Sequence, residues 1–350
     1  MSKKIRVGIL GATGMVGQRF IQLLDGHPQF EVTALAASER SETRNFAEAC
    51  AWKLPTPIPA WAQGMALQAC QSPLDCDVVF SSLPSSMAGA VEESFAQAGY
   101  PVISNSSNHR MSVDVPLLVP EINAEHISLI DIQRERRKWK KGYIVTNPNC
   151  TTVALVLALA PIELAFGIEA VMVSTMQALS GAGYPGVASL DIIDNVVPYI
   201  DGEEKKVESE PQKILGRFAS GVVTAANFPI SAQCYRVNVS DGHTEAVTIK
   251  LRKKTTVSAL IEVMETFQGE PQKLKLHSAP ACPVVVLKEK NRPQPRLDRD
   301  LEKGMATVVG RVREDTVLDF RFTLLGHNTI RGAAGAAILN AELLAAKGYI

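Results

Sequence analysis

The sequence predicts an α/β chain of two domains: an open parallel sheet covered by helices, followed by an α+β unit with a mixed, largely antiparallel sheet. Three observations carry this. Up to about residue 165, short β-rich runs alternate with stretches of helical spacing, the grammar of strand–helix–strand units. Beyond that point the pattern changes to strict alternation. Val247, Ile249 and Leu251 are interleaved with Thr248, Lys250 and Arg252, and Phe320, Phe322 and Leu324 with Asp319, Arg321 and Thr323. A period of two marks strands with one wet face. Finally, 350 residues that are 46% hydrophobic and 21% charged are enough for about two cores and exclude a disordered or coiled-coil chain.

Taken in order, Ile5–Leu10 is the first strand, and residues 14–25 form a helix with Val16, Phe20, Leu23 and Leu24 on one side. Residues 31–37, 77–82 and 102–105 read as the second, third and fourth strands, and the Pro/Trp-rich interval 52–61 as irregular. A further apolar strand at 143–145 precedes an apolar run over 153–160. Residues 330–347 form an Ala-rich helix with an unusually small start (Arg331-Gly332-Ala333-Ala334-Gly335), expected to pack back on the first domain. The expected division is therefore 1–148 with 328–350 against 149–327.

Lysine plus arginine equals aspartate plus glutamate, 36 each, so the chain has no net charge to draw it to nucleic acid or an anionic membrane. No apolar run reaches the roughly 18–20 residues of a membrane span. The first apolar stretch is too short for a signal peptide and runs into a glycine turn. Six cysteines (50, 70, 76, 150, 234 and 282) are too sparse for a disulfide framework and contain no CxxC pair, so no metal is expected. A reduced, cytoplasmic protein is the expectation. The charge runs at 134–141 and 201–210 read as solvated surface.

Chemistry concentrates in a few segments. Gly11-Ala12-Thr13-Gly14-Met15-Val16-Gly17 follows a strand and opens a helix, where glycines permit a tight turn and the helix start attracts a pyrophosphate. The spacing is G-x-x-G-x-x-G, and its setting points to a Rossmann-like dinucleotide-binding domain. At the end of the second strand, Ser38, Arg40 and Ser41 could hold a 2′-phosphate, whereas Glu39 speaks for NAD. Cys150 lies in Asn147-Pro148-Asn149-Cys150-Thr151-Thr152, between a strand and a helix. Polar neighbours and the positive end of the helix are expected to lower its pKa and make it a nucleophile. The other five cysteines read as small buried hydrophobes. Among six histidines, His27 and His277 look like surface loop residues and His126 like a helix residue without a partner. His243 stands seven residues after Arg236, with a glycine before it, so both could reach one site.

The chain resembles the aspartate-semialdehyde dehydrogenases, in the branch typical of archaea and fungi. The segments that carry the resemblance are the glycine turn, Ser81-Ser82-Leu83-Pro84, Ser104-Asn105-Ser106-Ser107-Asn108-His109-Arg110, the cysteine segment, Gln177-Ala178-Leu179-Ser180-Gly181-Ala182-Gly183-Tyr184-Pro185-Gly186, the stretch from Arg236 to His243, and His327-Asn328-Thr329-Ile330-Arg331-Gly332. They run through nearly the whole chain in the family's order. The resemblance implies NADPH-dependent reduction of L-aspartyl 4-phosphate to the semialdehyde through a cysteine thioester, on the route to lysine, threonine and methionine. It makes Cys150 the nucleophile, His243 the general acid/base and Gln177 the residue that orients the thioester. Arg236 would hold the substrate carboxylate, and Arg110 and Asn108 the phosphate. Glu203 and Lys206 would form the family's Glu-x-x-Lys pair, in a register that Glu204 and Lys205 leave open. Gly11, Thr13, Gly14, Met15, Val16, Ser38, Arg40, Ser41, Ser82, Ser180, Gly181, Ala182, Gly183 and Asn328 would line NADP. A homodimer or homotetramer follows from the resemblance alone. The rivals are a malonyl-CoA reductase or another acyl-thioester reductase on the same scaffold, and a non-catalytic NADP-binding regulator.

Overall fold

The computed structural model describes residues 3–38 and 43–350. Six strands, β1 (Ile5–Leu10), β2 (Phe30–Ala37), β3 (Leu67–Ala69), β4 (Val78–Ser81), β5 (Pro101–Ser104) and β6 (Tyr143–Thr146), form a sheet in the order β3-β2-β1-β4-β5-β6. Every pairing in it is parallel. The order reverses direction beside β1, which opens a crevice at the carboxyl ends of β1 and β4, where doubly wound sheets bind ligands. Both faces are covered. One packs on Phe20 and Ile21 of the helix Met15–Leu23 and on Ala337, Ile338 and Leu344 of the C-terminal helix Gly335–Ala346. The other packs on Ala88 and Phe95 of the helix Ser85–Gln97. β3 is the strand that sequence pattern does not find, since three residues are too few to show a period.

The turn after β1 is closed by glycine. A Cβ on Gly17 would stand 2.3 Å from the Gly11 carbonyl oxygen, so the helix can sit this close to the strand only without a side chain there.

The second sheet takes β7 (Ile168–Gln177), β10 (Ile230–Arg236), β11 (His243–Leu251), β12 (Val284–Leu287), β13 (Thr307–Glu314) and β14 (Phe320–Gly326) in the order β10-β7-β11-β14-β13-β12. The hairpin β8 (Arg217–Ala219) with β9 (Val222–Thr224) stands apart. The three central pairings are antiparallel and the two outer ones parallel. Alternation in β11 is strict: odd residues from His243 to Leu251 are buried, while Ala246 and Lys250 are exposed. The buried face packs on the helix Cys150–Phe166, whose residues Thr151 to Ile162 are buried throughout, and on Leu260 and Met264 of the helix Val257–Glu265.

Several histidines and cysteines differ from expectation. His27 is buried, with Nε2 2.9 Å from Glu342 Oε1 and Nδ1 accepting from the Phe30 amide, because the turn it occupies closes onto the C-terminal helix. His126 is partnered by Asn123 and the Gly216 carbonyl. Cys282 is exposed and Cys70 half-buried rather than core residues.

Arg331 is the largest fully buried side chain among the described residues. Its Nη1 and Nη2 donate to Glu121 Oε1 and Oε2 at 2.8 and 2.6 Å, tying the segment before the last helix to residue 121. Removing one member strands the other charge in the interior, which costs about 3–5 kcal/mol. Arg331→Ala should therefore melt well below the parent in a thermal scan. An unchanged melting temperature would show that water reaches the pair.

Candidate active site

The parallel strand β6 ends at Thr146, and Asn147-Pro148-Asn149 leads into the helix Cys150–Phe166. Asn149 caps it: Oδ1 accepts from the Thr151 and Thr152 amides at 2.9 and 3.2 Å. Cys150 is thus the first helical residue, with a backbone N–H that needs no partner inside the helix. Three strand ends of the second sheet meet it. Gln177 closes β7, Arg236 closes β10 and His243 opens β11, and Gln177 and Arg236 are register partners. Antiparallel β11 pairs Thr244 with Met176, which sets His243 beside Gln177.

The cysteine sulfur lies 3.2 Å from His243 Nε2. The Ala178 amide donates to His243 Nδ1 at 3.0 Å, and an amide N–H can only donate. The neutral ring therefore carries its proton on Nε2, facing the sulfur. Arg236 Nη1 donates to the carbonyl of the same Ala178 at 2.7 Å. A Cβ on Gly181 would fall 2.8 Å from Arg236 Nη1 and 3.2 Å from His243 Nε2, so only glycine lets this loop lie against both side chains.

Burial sets the protonation. It pushes the Cys150 thiol up to about 12, reinforced by Glu203 and opposed by Arg110, Arg236 and Lys206. It pushes His243 down to about 3, reinforced by Arg236 and His327. The direction is opposite to the lowered cysteine pKa expected from the helix start, and desolvation is its largest cause. With the thiol raised, thiolate is scarce at neutral pH and grows as pH rises. Alkylation of Cys150 by iodoacetamide should keep climbing from about pH 7 to about pH 9. A plateau already reached at about pH 7 would contradict a half-buried thiol that rests neutral.

The charge run at 201–210 is not surface throughout. The helix Glu203–Ile214 turns Glu203, Lys206, Glu210 and Lys213 toward the cysteine and the loop 105–115, and Glu203, Glu210 and Lys213 are buried. Asn149 Nδ2 donates to Glu203 Oε1 at 2.8 Å and Lys206 Nζ to Glu203 Oε2 at 3.2 Å. Glu204 instead faces the Cys234 amide, and Lys205 is exposed. Glu210 and Lys213 were not singled out from sequence. The spacing 203, 206, 210, 213 is one helical face and was the available signal.

Arg110 is buried, with Nη1 on Glu210 Oε1 at 2.9 Å and Nη2 on the Asn105 carbonyl at 2.7 Å. Asn108 does not join it. Its side chain is exposed and bonds Ser106 and the Ser85 carbonyl, because the turn at 106–109 points it at the helix Ser85–Gln97. Asn105 and Ser106 face the cleft instead.

One cleft of about 690 Å³ joins these groups to the glycine turn. Cys150, Gln177, Arg236, Arg110, Glu203 and Lys206 line one end, and Gly14, Met15, Val16, Ser82, Ser180, Gly181, Ala182, Gly183 and Asn328 the other. Gly11 and Thr13 shape the turn without lining the cleft; the Thr13 carbonyl accepts from Gln18. Asn328 joins two loops, donating to Ser180 Oγ at 2.8 Å and accepting from the Gly242 amide at 2.9 Å. Ser38 is exposed after β2, while Arg40 and Ser41 lie outside the described residues. No side chain caps the helix Met15–Leu23, and no acidic residue lies in its first turn. Its first amides face the cleft, a fit for a dinucleotide pyrophosphate.

A dinucleotide crevice in the parallel-sheet domain, which also supplies the buried Arg110, faces Cys150 and the buried Arg236 of the second; this is the site of an NAD(P)-dependent acyl-group reductase. Residues 6–130 match the semialdehyde dehydrogenase NAD binding domain, and residues 159–331 the semialdehyde dehydrogenase dimerisation domain. An aspartate-semialdehyde dehydrogenase of Methanothermobacter thermautotrophicus is 54% identical over 344 residues, covering 97% of this chain and 99% of that one. Its counterpart in Schizosaccharomyces pombe is 46% identical over 353 residues, 99% of each chain. The crystal structure of aspartate semialdehyde dehydrogenase with NADP from Candida albicans superposes with a TM-score of 0.92 at 44% identity, covering 99% of this chain and 100% of that one. The chain belongs to the aspartate-semialdehyde dehydrogenase family.

Proposed function

We propose that Cys150 attacks the acyl carbon of L-aspartyl 4-phosphate and that the resulting thioester is reduced to L-aspartate 4-semialdehyde at the expense of NADPH. The observation that carries this reading is the sulfur 3.2 Å from His243 Nε2, in a cleft that also holds Arg110 and Arg236. Arg236 pairs with the α-carboxylate and fixes the acyl carbon over the sulfur. Arg110 and Lys206 hold the phosphoryl group, and Glu203 keeps Lys206 in place. Attack forms the C–S bond and breaks the C–O bond to phosphate. The thiol proton leaves with the phosphate as hydrogen phosphate, so no separate base is required. The oxyanion of each tetrahedral adduct is stabilised by the Cys150 amide and the Nε2–H of His243. When bound, NADPH supplies the hydride that reduces the thioester carbonyl. Collapse of that second adduct breaks the C–S bond and returns the sulfur as thiolate, which takes a proton from solvent to restore the resting thiol, while Gln177 holds the carbonyl in plane.

Gly14, Met15 and Val16 cradle the pyrophosphate, and Ser38, Arg40 and Ser41 select the 2′-phosphate. The outer face of the second sheet exposes Met172 and Ala246 beside Ser174 and Thr248, and a second copy of the chain covers it. Light scattering should then give about twice the monomer's 37.8 kDa. Among the described residues no helix is long and apolar enough to cross a membrane.

The test is turnover followed at the nicotinamide absorbance with semialdehyde, phosphate and NADP. Phosphate-dependent reduction of NADP is expected, with NAD slower. Faster turnover of malonyl-CoA than of the aspartyl substrate would replace the reading with its rival.

A further inference from the structure

Glu210 is 2% exposed and uses both oxygens on groups from two different segments lining the cleft: Arg110 Nη1 donates to Oε1 at 2.9 Å, and the Asn149 amide donates to Oε2 at 2.6 Å. Arg110 belongs to the loop after β5 of the parallel sheet, and Asn149 is the residue that caps the cysteine helix. One turn beyond Glu210 on the helix Glu203–Ile214, Lys213 Nζ donates to the carbonyls of Arg110, Ser112 and Val115 at 2.7, 2.7 and 2.8 Å. Arg110 Nε is buried without a partner among the described residues, and Nη1 and Nη2 each make one bond, so the guanidinium keeps N–H donors for an anion. The anion-holding guanidinium and the nucleophile's helix cap are thus measured against each other by a single carboxylate.

We infer that Glu210 is a positioning residue that sets the distance between the phosphate held by Arg110 and the sulfur of Cys150, with Lys213 fixing the backbone of the same loop. The inference rests on the reaction proposed above. A bidentate carboxylate between two rigid donors restricts both, and a displacement of about 1 Å between reacting groups costs up to roughly a hundredfold in rate.

The test uses the full-length enzyme. Glu210→Gln keeps the volume but, with one oxygen and no charge, holds only one donor. KM for phosphate should rise and kcat fall, together roughly tenfold to a hundredfold in kcat/KM, while KM for NADP stays near the parent; the melting temperature falls, because Arg110 loses a buried charged partner. Alkylation of Cys150 with no substrate present should quicken as the Asn149 cap loosens. In an Arg110→Gln background, Glu210→Gln should add nothing to the phosphate defect yet still quicken alkylation. Parental values for both phosphate KM and alkylation would overturn the inference, as would a full additional phosphate defect in the Arg110→Gln background. If Glu210→Gln does not fold, Glu210→Asp carries the same test. It keeps the charge but cannot span both donors, so at least one readout must move; neither moving overturns the inference. The alkylation arm needs no substrate, so it separates failure of this inference from failure of the reaction, which a parent enzyme without phosphate-dependent turnover would reveal.

Discussion

Replacing Cys150 by serine is expected to lower turnover by roughly a thousandfold or more while leaving NADP binding and the melting temperature unchanged. The hydroxyl is nearly isosteric and accepts the same hydrogen bond from His243, so the site keeps its shape. What is lost is the nucleophile, since an alkoxide is far less accessible than a thiolate even where burial holds the thiol at about 12. None of the other five cysteines lines the cleft among the described residues, so none can take over. Steady-state rates beside fluorescence titration of NADPH decide it. Normal turnover by the serine variant, or its loss together with cofactor binding, would contradict the role.

Arg236→Leu should cost about 2–5 kcal/mol in transition-state stabilisation, or roughly thirtyfold to a few thousandfold in kcat/KM. Two losses combine. The substrate carboxylate loses a planar partner in a desolvated site, and the Ala178 carbonyl loses its donor, whose own amide orients His243. Because the pairing positions the reacting carbon, part of the loss should fall on kcat as well as KM. Arg236→Lys restores charge without the fork and should recover only part of the activity. Unchanged kinetics in Arg236→Leu would remove the residue from the site.

How much of this is readable in the chain depends on the range of the signal. The parallel sheet announces itself through apolar runs and the glycine turn, and the second sheet through the alternation at 247–251 and 320–324, because period and turn chemistry are local. The clustering of Cys150 with Gln177, Arg236 and His243 depends on register between β7, β10 and β11, which no spacing encodes; only the family resemblance implies it. The reading of 201–210 as surface failed for a physical reason. Charged residues are ordinarily solvated, and only three-dimensional partners (Asn149 for Glu203, Arg110 for Glu210) make their burial tolerable. His27 failed likewise, since Glu342 lies at the far end of the chain. The direction of the cysteine's pKa differs from the expectation because a helix terminus is visible in sequence and desolvation is not.

The most direct test of the thioester is to trap it. The enzyme is mixed with L-aspartyl 4-phosphate in the absence of reduced cofactor, quenched in acid, and analysed by intact mass and peptide mapping. The account predicts one aspartyl group per chain on the peptide containing Cys150, released by hydroxylamine and absent from Cys150→Ser. An enzyme that turns over normally yet carries no adduct, or carries it on another residue, would contradict it.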